Sequence, residues 1–226
     1  MNAKQFFEEN GYVLLSKFID NNMSSLLYQH VINSCKVASF LNENFTEQYK
    51  STIYGSFTDI QALGDYSRYG DLIFDTLLEL SLPNVEKILE KKLLPTYSYH
   101  RLYTTNTELK RHKDRPSCEL SATLCLGYNV KNLECNEKNY NWPMFVGPSN
   151  GETGTKGTPV HMNPGDIILY KGCLIEHWRE PFKGLNHAQV FLHYNEVTNN
   201  TSENLYDNRP LLGLNETFKK GNIPFI

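Results

Sequence analysis

The amino-acid sequence changes character before its midpoint, and this change limits the folds open to the chain. Up to about residue 95, apolar side chains recur at three- and four-residue spacing, which is typical of amphipathic helices. From Thr96 onward, short runs of β-branched and aromatic residues alternate with turn sequences such as Asn163-Pro164-Gly165-Asp166. Helices followed by many short strands favour an α+β fold, in which a sandwich or jelly-roll barrel carries helices on one side.

The pattern also predicts individual elements in the N-terminal part. Helices are expected at residues 6–10, 20–32, 69–80 and 83–94, with strands at 12–15 and 51–54. Gly11 is expected to end the first helix, Asp20 or Asn21 to cap the second, and Pro83 to begin the last.

Seven strands are predicted in the C-terminal part, at residues 97–104, 120–128, 144–146, 158–162, 167–170, 174–178 and 188–194. We expect a single domain with a mainly helical support (1–95), a jelly-roll core (96–194) and a C-terminal tail (195–226). The long polar segment 130–156 is expected to form a lid or a substrate loop.

Composition excludes several classes of function. A chain of 226 residues with 40% hydrophobic residues can bury one sizeable core. The net charge of -3 and the absence of a basic stripe argue against a nucleic-acid partner. No apolar stretch is long enough for a membrane helix and the N-terminus lacks a signal-like pattern, so we expect no membrane association and a cytoplasmic location. The five cysteines form no CxxC pair and are expected to be reduced.

The triplet His112-Lys113-Asp114 is the strongest chemical signal. In a strand, alternate side chains share a face, so the imidazole and the carboxylate would point into the same space. A third ligand from a distant strand would complete a 2-His-1-carboxylate triad, which holds Fe(II) on one face and leaves the other positions open. His177, within Ile175-Glu176-His177-Trp178, is the best candidate. A surface histidine beside a solvated aspartate is the alternative interpretation.

The remaining histidines carry weaker signals. Six of the seven lie between positions 100 and 193, and strands accept histidine readily. His100, His161 and His193 are therefore interpreted as ordinary strand residues.

The order of the motifs along the chain resembles that of a known family. Tyr103, His112-x-Asp114, the turn Pro164-Gly165-Asp166 and His177 follow one another as in the Fe(II)/2-oxoglutarate-dependent dioxygenases, and most closely as in their prolyl 4-hydroxylase-like branch. The opening Phe-x-x-x-Gly-Tyr-Val-Leu-Leu is also similar to the start of many members. The resemblance extends over residues 6–194, with its specific part between Tyr103 and Gln189.

The resemblance implies a double-stranded β-helix core in which His112, Asp114 and His177 hold Fe(II). It also implies 2-oxoglutarate as a co-substrate that chelates the metal through its ketoacid end. With O2, such enzymes convert the co-substrate to succinate and hydroxylate an unactivated C–H bond. The substrate would be a prolyl or other residue in a peptide or protein, or a small amino-acid-like molecule.

One feature of the resembled pattern is missing. Relatives place an arginine or lysine nine to eleven residues after the distal histidine, where it binds the far carboxylate of 2-oxoglutarate. This chain has Asn186, His187 and Ala188 there. His187 as imidazolium is one replacement, and Arg179, on the face of the strand that carries the distal histidine, is another.

Two further residues complete the predicted co-substrate site. Lys183 lies in the turn after the distal histidine and would have to reach inward. Tyr103 matches a tyrosine that in relatives hydrogen-bonds the co-substrate, although a packing role is an open alternative in a chain with 14 tyrosines.

Two other functions stay open on the sequence alone. The first is a non-catalytic jelly-roll binding module with a structural metal or none, which the missing cation slightly favours. The second is a cupin-type metalloenzyme that does not use 2-oxoglutarate and takes a fourth ligand from His161 or His193.

Overall fold

The structure is a computed structural model that describes residues 2–44, 52–131, 141–198 and 201–220. Its helices are α1 (Ala3–Asn10), α2 (Asn21–Asn44) and α3 (Leu72–Leu89). Its strands are β1 (Tyr12–Leu15), β2 (Tyr66–Tyr69), β3 (Leu93–Thr104), β4 (Leu109–His112), β5 (Leu120–Asn129), β6 (Met144–Val146), β7 (Thr158–Val160), β8 (Ile167–Tyr170), β9 (His177–Arg179) and β10 (Asn186–Glu196).

Within the described ranges the strands form two antiparallel sheets. The larger has six strands in the order β1-β8-β5-β10-β3-β2, and the smaller has four in the order β4-β9-β6-β7. Apolar residues of both sheets share one buried cluster, which includes Cys125 and Ile168 from the larger sheet and Met144 and Val146 from the smaller. The sheets therefore pack face to face, and the predicted combination of helices with antiparallel strands is confirmed.

Strand β10 shows how the larger sheet divides its two faces. Ala188, Val190 and Leu192 join the apolar cluster that also contains residues of α2 and α3. The alternate side chains point between the two sheets, as strand geometry requires. These inward side chains are His187, Gln189, Phe191 and His193. The interior of the sandwich is therefore unusually polar on this strand.

Helix α2 packs on the outer face of the larger sheet. Asp20 caps it, since the Met23 amide donates to the Asp20 carboxylate at 2.9 Å. Leu27 and Val31 are buried, as predicted, whereas Met23 and Leu26 are exposed. Of the described helices, none combines the length and the apolar character required to cross a bilayer.

Helix α3 corrects the prediction of two helices at 69–80 and 83–94. A single helix runs through Pro83. Phe74 and Leu78 before the proline and Val85 and Leu89 after it are all buried in one cluster. Burial of this apolar face along the whole helix offsets the free-energy cost of the hydrogen bond that proline removes from the helix interior.

The region between α2 and α3 also differs from the prediction. Residues 52–54 form a 3-10 turn rather than a strand. Residues 66–69 form β2, which pairs with β3, and Asp71 caps α3 through the Ile73 amide, so the helix begins later than predicted. The N-terminal part is thus not only a helical support, because β1 and β2 form the two edges of the larger sheet.

The C-terminal tail is anchored to the body of the protein. The Arg209 guanidinium lies 2.7 Å from the Asp75 carboxylate, and both side chains are fully buried. The same carboxylate accepts a hydrogen bond from the Gly213 amide. Of the segment predicted to be a lid, residues 132–140 lie outside the described residues, and residues 144–146 form β6.

Candidate metal centre

The three predicted ligands converge at one end of the smaller sheet. Strand β4 ends at His112 and β9 begins at His177, and the register of the two antiparallel strands places these residues opposite each other. Asp114 follows two residues later, where its amide donates to the Gly172 carbonyl at 2.9 Å. The nearest ligand atoms of the three residues all lie within 4.8 Å of one another.

Hydrogen bonds orient both imidazole rings. His112 Nδ1 lies 2.7 Å from the Lys110 carbonyl, and His177 Nδ1 lies 3.1 Å from the Ile175 carbonyl. A carbonyl oxygen only accepts, so each Nδ1 carries the hydrogen and each Nε2 keeps a free lone pair. This arrangement, with Nδ1 bonded to the backbone, is the usual one for metal-binding histidines.

Asp114 completes the set as an anion. Its Oδ1 lies 3.6 Å from His112 Nε2 and 3.4 Å from His177 Nε2. Its Oδ2 accepts a hydrogen bond of 2.6 Å from the Ser121 hydroxyl. Burial alone would raise the pKa of Asp114, but the His177 ring and the Ser121 hydroxyl hold that pKa well below its ordinary value.

The protonation states of His112 and Asp114 match those that a divalent metal requires. Burial, followed by the neighbouring His177 ring, lowers the pKa of His112 to about 4, so this imidazole is neutral near pH 7. Two imidazole nitrogens and one carboxylate form the donor set of non-haem Fe(II) oxygenases. The residues of the site therefore fit a divalent iron.

Gly172 supports the carboxylate by having no side chain. A Cβ atom at this position would lie 2.5 Å from Asp114 Oδ2 and close to the Ser121 hydroxyl. By itself, the sequence Lys171-Gly172 indicates only a turn. The structure shows that the turn passes directly behind the metal ligand.

A cavity of about 340 Å³ opens beside the triad. Its volume is within the range of small-molecule sites in proteins. Besides the three ligands, its wall contains the aromatic side chains of Tyr97, Tyr99, Tyr170 and Phe191. Among the described residues it also contains three cationic side chains, which are those of Arg101, Lys113 and Arg115.

The predicted co-substrate residues Arg179 and Tyr103 lie outside the wall of this cavity. Arg179 is buried, donates to the Trp142 carbonyl, and lies 3.0 Å from Gln189 Oε1. The Tyr103 hydroxyl accepts a hydrogen bond of 3.2 Å from the Gln189 amide. These side chains form one buried network behind the cavity, and their contact with a co-substrate stays a prediction.

His187 belongs to the same buried region. Its ring stacks on Tyr128 with centroids 5.6 Å apart and meets Trp142 edge-on. Burial, together with the positive charge of Arg179, lowers the pKa of His187 well below its ordinary value. The imidazole is therefore neutral, which disfavours the imidazolium that the prediction requires.

The other candidate residues are dispersed. Lys183 is exposed in the turn after β9, and His161 lines a groove beside β1 and β7. His193 lines the same cavity as the three ligands, with Nδ1 3.0 Å from the Ser121 hydroxyl. Among the described residues, neither histidine belongs to the ligand cluster.

Sequence reasoning missed Arg101 and Asp59. Arg101 is 2% exposed, forms an ion pair with Asp59, and donates to the Tyr103 hydroxyl at 3.1 Å. One signal was present, because Arg101 and Tyr103 are alternate residues of a predicted strand and must share a face. Asp59 gave no signal, since it belongs to a stretch with no regular pattern.

Comparisons with known proteins identify the fold. No protein-family model matches the sequence, and no curated protein matches it. Among solved structures, a Pseudomonas putida prolyl-4-hydroxylase is similar with a TM-score of 0.60 and 12% identity, covering 87% of this chain and 98% of that one. EctD from S. alaskensis, in its apoform, has a TM-score of 0.59 and 16% identity, with 96% and 84% covered.

A third similar structure contains ligands. HygX from Streptomyces hygroscopicus, with nickel, 2-oxoglutarate and hygromycin B bound, has a TM-score of 0.58 and 11% identity, covering 85% of this chain and 86% of that one. The chain shares its fold with these enzymes. Because the identities are low, the likeness establishes the architecture, and the chemistry has to be argued from the residues of this chain.

Proposed function

We propose that the protein is a non-haem Fe(II)- and 2-oxoglutarate-dependent dioxygenase, built on a double-stranded β-helix, that hydroxylates an unactivated C–H bond. One observation carries the proposal. His112, Asp114 and His177 bring two imidazole nitrogens and one carboxylate together on the wall of a cavity. The fold shared with solved oxygenases supports it.

The residues of this chain have separable roles in that reaction. His112 and His177 supply Nε2 lone pairs, and Asp114 supplies the negative charge that favours a divalent cation. Ser121 positions the carboxylate through its hydroxyl. Bound Fe(II) would activate O2, which is the oxidant, and 2-oxoglutarate would supply two electrons as it loses CO2. One oxygen atom of O2 would enter succinate and the other would enter the substrate C–H bond.

Three protein ligands and no fourth suit this chemistry. An octahedral metal with three protein ligands keeps positions for a chelating ketoacid and for O2. The nearest additional imidazole, that of His193, is hydrogen-bonded to the Ser121 hydroxyl. This geometry disfavours the cupin-type alternative, in which His161 or His193 would be a ligand.

The cavity also restricts the substrate. Aromatic side chains form part of its wall, and Arg115 and Lys113 lie at the exposed part of the site. We infer that the substrate is a residue of a peptide or protein, or a small amino-acid-like molecule, that packs on these rings. A proline ring is one side chain that such a surface accommodates.

Succinate formation tests the proposal. Purified protein is incubated with Fe(II), ascorbate, O2 and 2-oxoglutarate, and succinate is measured with and without a panel of peptides and amino acids. We expect succinate from the wild type, including slow formation without substrate, and none from Asp114→Ala. Lys113→Ala, which changes the exposed residue between two ligands, should retain the activity. A folded, iron-loaded wild type that forms no succinate would instead favour a non-catalytic binding module.

A further inference from the structure

We propose that Arg101, on strand β3, binds the far carboxylate of 2-oxoglutarate in this protein. The inference rests on the proposed function and assigns the cation that the sequence lacks after His177. It differs from the resembled pattern, in which the cation lies on the strand that follows the distal histidine.

The chemistry of the co-substrate sets the requirement. A dicarboxylate that chelates iron through its ketoacid end has to place its second carboxylate in the same cavity. A buried carboxylate is costly unless a cation or several hydrogen-bond donors accompany it. The cation must therefore line the cavity that contains the three metal ligands.

Three cations of the described residues meet this condition, and two of them are poorly suited. The Lys113 ammonium is exposed and donates to the Gly151 carbonyl at 3.0 Å. Arg115 already binds both oxygens of Asp207, at 2.9 and 2.6 Å, through its two terminal nitrogens. Neither side chain therefore offers a hydrogen-bond donor that is both buried and available to a ligand.

Arg101 has both properties. Its side chain is 2% exposed, and its guanidinium carbon lies 5.5 Å from the ring centroid of Tyr99 and 5.9 Å from that of Phe191, so aromatic rings shield it from water. Its Nε atom is buried and has no hydrogen-bond partner among the described residues. A buried donor without a partner is expensive, and a ligand carboxylate in the cavity would satisfy it.

Asp59 fixes the guanidinium without neutralising the whole site. Asp59 accepts from Arg101 Nη2 and from the Tyr99 hydroxyl, and the Gln61 amide caps its second oxygen at 2.9 Å. Arginine has five donors, so one carboxylate partner leaves others for a ligand. A divalent metal held by the triad would add further positive charge, which favours a dianionic ligand.

The strand register explains how a cation on β3 can take the place of a cation on β10. Strands β10 and β3 are adjacent in the larger sheet, where Gln189 pairs with Arg101 and His187 pairs with Tyr103. Arg101 therefore lies on the neighbouring strand, opposite Gln189, which is the next inward-facing residue of β10 after His187. The guanidinium enters the sandwich from β3, whereas the β10 position is occupied by a neutral, packed imidazole.

The test compares two ketoacids that differ only at the far end. Dissociation constants for 2-oxoglutarate and for 2-oxopentanoate, which has a methyl group in place of the far carboxylate, are measured by calorimetry on the anaerobic Fe(II)-loaded protein. The wild type should prefer 2-oxoglutarate. In Arg101→Gln, binding of 2-oxoglutarate should weaken roughly 10- to 100-fold, as expected for a lost charge-assisted pair, while binding of 2-oxopentanoate is unchanged.

Two further variants sharpen the result. Lys113→Gln removes a rival cation of the same cavity and should keep the wild-type preference. Arg101→Lys keeps the charge but loses the planar fork, so the preference should fall by roughly 10-fold. This variant decides the question if Arg101→Gln does not fold, because an unchanged preference in Arg101→Lys overturns the proposal.

The outcomes separate this inference from the proposed function. If Arg101→Gln keeps the wild-type preference, Arg101 is not the anchor, although the oxygenase proposal stands. If Arg101→Gln weakens both acids equally, its role is structural and the proposal is overturned. A wild type that binds 2-oxoglutarate no better than 2-oxopentanoate also overturns it, and a metal-loaded wild type that binds neither acid overturns both proposals.

Discussion

The Nε2 atom of His177 lies 3.4 Å from Oδ1 of Asp114, although the two residues belong to distant parts of the chain. Their proximity results from the pairing of β4 with β9, which places His112 opposite His177 and leaves Asp114 just beyond the strand end. The site is therefore a product of sheet pairing and of one turn that holds the carboxylate. Each contribution can be tested separately.

Replacing the carboxylate ligand tests the donor set. Asp114→Ala removes the only anionic donor of the three, so we expect Fe(II) affinity to fall by at least about 100-fold. Anaerobic calorimetry measures the affinity, and a thermal melt confirms that the variant is folded. Lys113→Ala is the matched control and should bind Fe(II) normally. If Asp114→Ala binds Fe(II) with unchanged affinity, Asp114 is not a metal ligand.

The Ser121 hydroxyl is predicted to position the ligand rather than to bind the metal. It donates to Asp114 Oδ2 at 2.6 Å, so Ser121→Ala should weaken Fe(II) binding by about 10- to 100-fold, as changes of such supporting groups do. Ser117→Ala serves as the control, because that hydroxyl is buried nearby and has no hydrogen-bond partner in the described part of the chain. Equal affinities of the two variants would contradict the positioning role.

The metal triad was predictable from the sequence because strand alternation is a local rule. His112 and Asp114 are two residues apart, and this spacing predicted a shared orientation. Asp114 in fact lies beyond the end of β4, where its amide bonds to the Gly172 carbonyl. His177 could be chosen from its context in a strand. Strand alternation also predicted correctly that Arg179 points into the sandwich. It did not indicate that the Arg179 guanidinium would hydrogen-bond to Trp142 and Gln189.

Other parts depend on contacts that no local pattern encodes. Asp59 meets Arg101 because the described segment just before β2 lies beside β3, where Asp59 also accepts a hydrogen bond from the Tyr99 hydroxyl. Local preference predicts a helix start at Pro83, yet α3 continues through it. The helix continues because residues on both sides of the proline are buried in the core cluster, which the local sequence does not reveal. Tertiary burial decided these cases against local preference.

The tail contributes to stability in a pH-dependent way. Burial alone would raise the pKa of Asp207, but hydrogen bonds from Arg115 and Lys219 lower it to about 2. A pKa that is lower in the folded state than in the unfolded state stabilises the protein above about pH 4, and the contribution is lost as the pH falls through about 2.

We therefore expect the free energy of unfolding to decrease between about pH 4 and pH 2. Asp207→Asn should lack a contribution on the order of 2 kcal/mol at pH 7 and show a shallower decrease on acidification. Urea denaturation at several pH values measures both quantities. Parallel curves for the wild type and the variant would exclude this coupling.

The buried ion pair between Asp75 and Arg209 should be the most sensitive contact of the tail. Asp75 also accepts hydrogen bonds from Ser98 and from the Gly213 amide. Asp75→Ala leaves the guanidinium uncompensated and should cost about 3–5 kcal/mol of unfolding free energy.

Glu79→Ala changes an exposed acidic residue on the same helix. This control should alter the free energy of unfolding by no more than about 0.5 kcal/mol. If both variants are equally stable in chemical denaturation, the tail is not held by this pair.

An anaerobic titration of the protein with Fe(II) and then 2-oxoglutarate, followed by visible absorption, tests directly whether the triad binds iron and leaves room for the ketoacid. If His112, Asp114 and His177 hold iron with positions left for a chelating ketoacid, a weak charge-transfer band should develop with 2-oxoglutarate in the wild type and be absent in Asp114→Ala. If a folded, iron-loaded wild type develops no band at saturating 2-oxoglutarate, the protein does not bind 2-oxoglutarate at its iron and is not the proposed oxygenase.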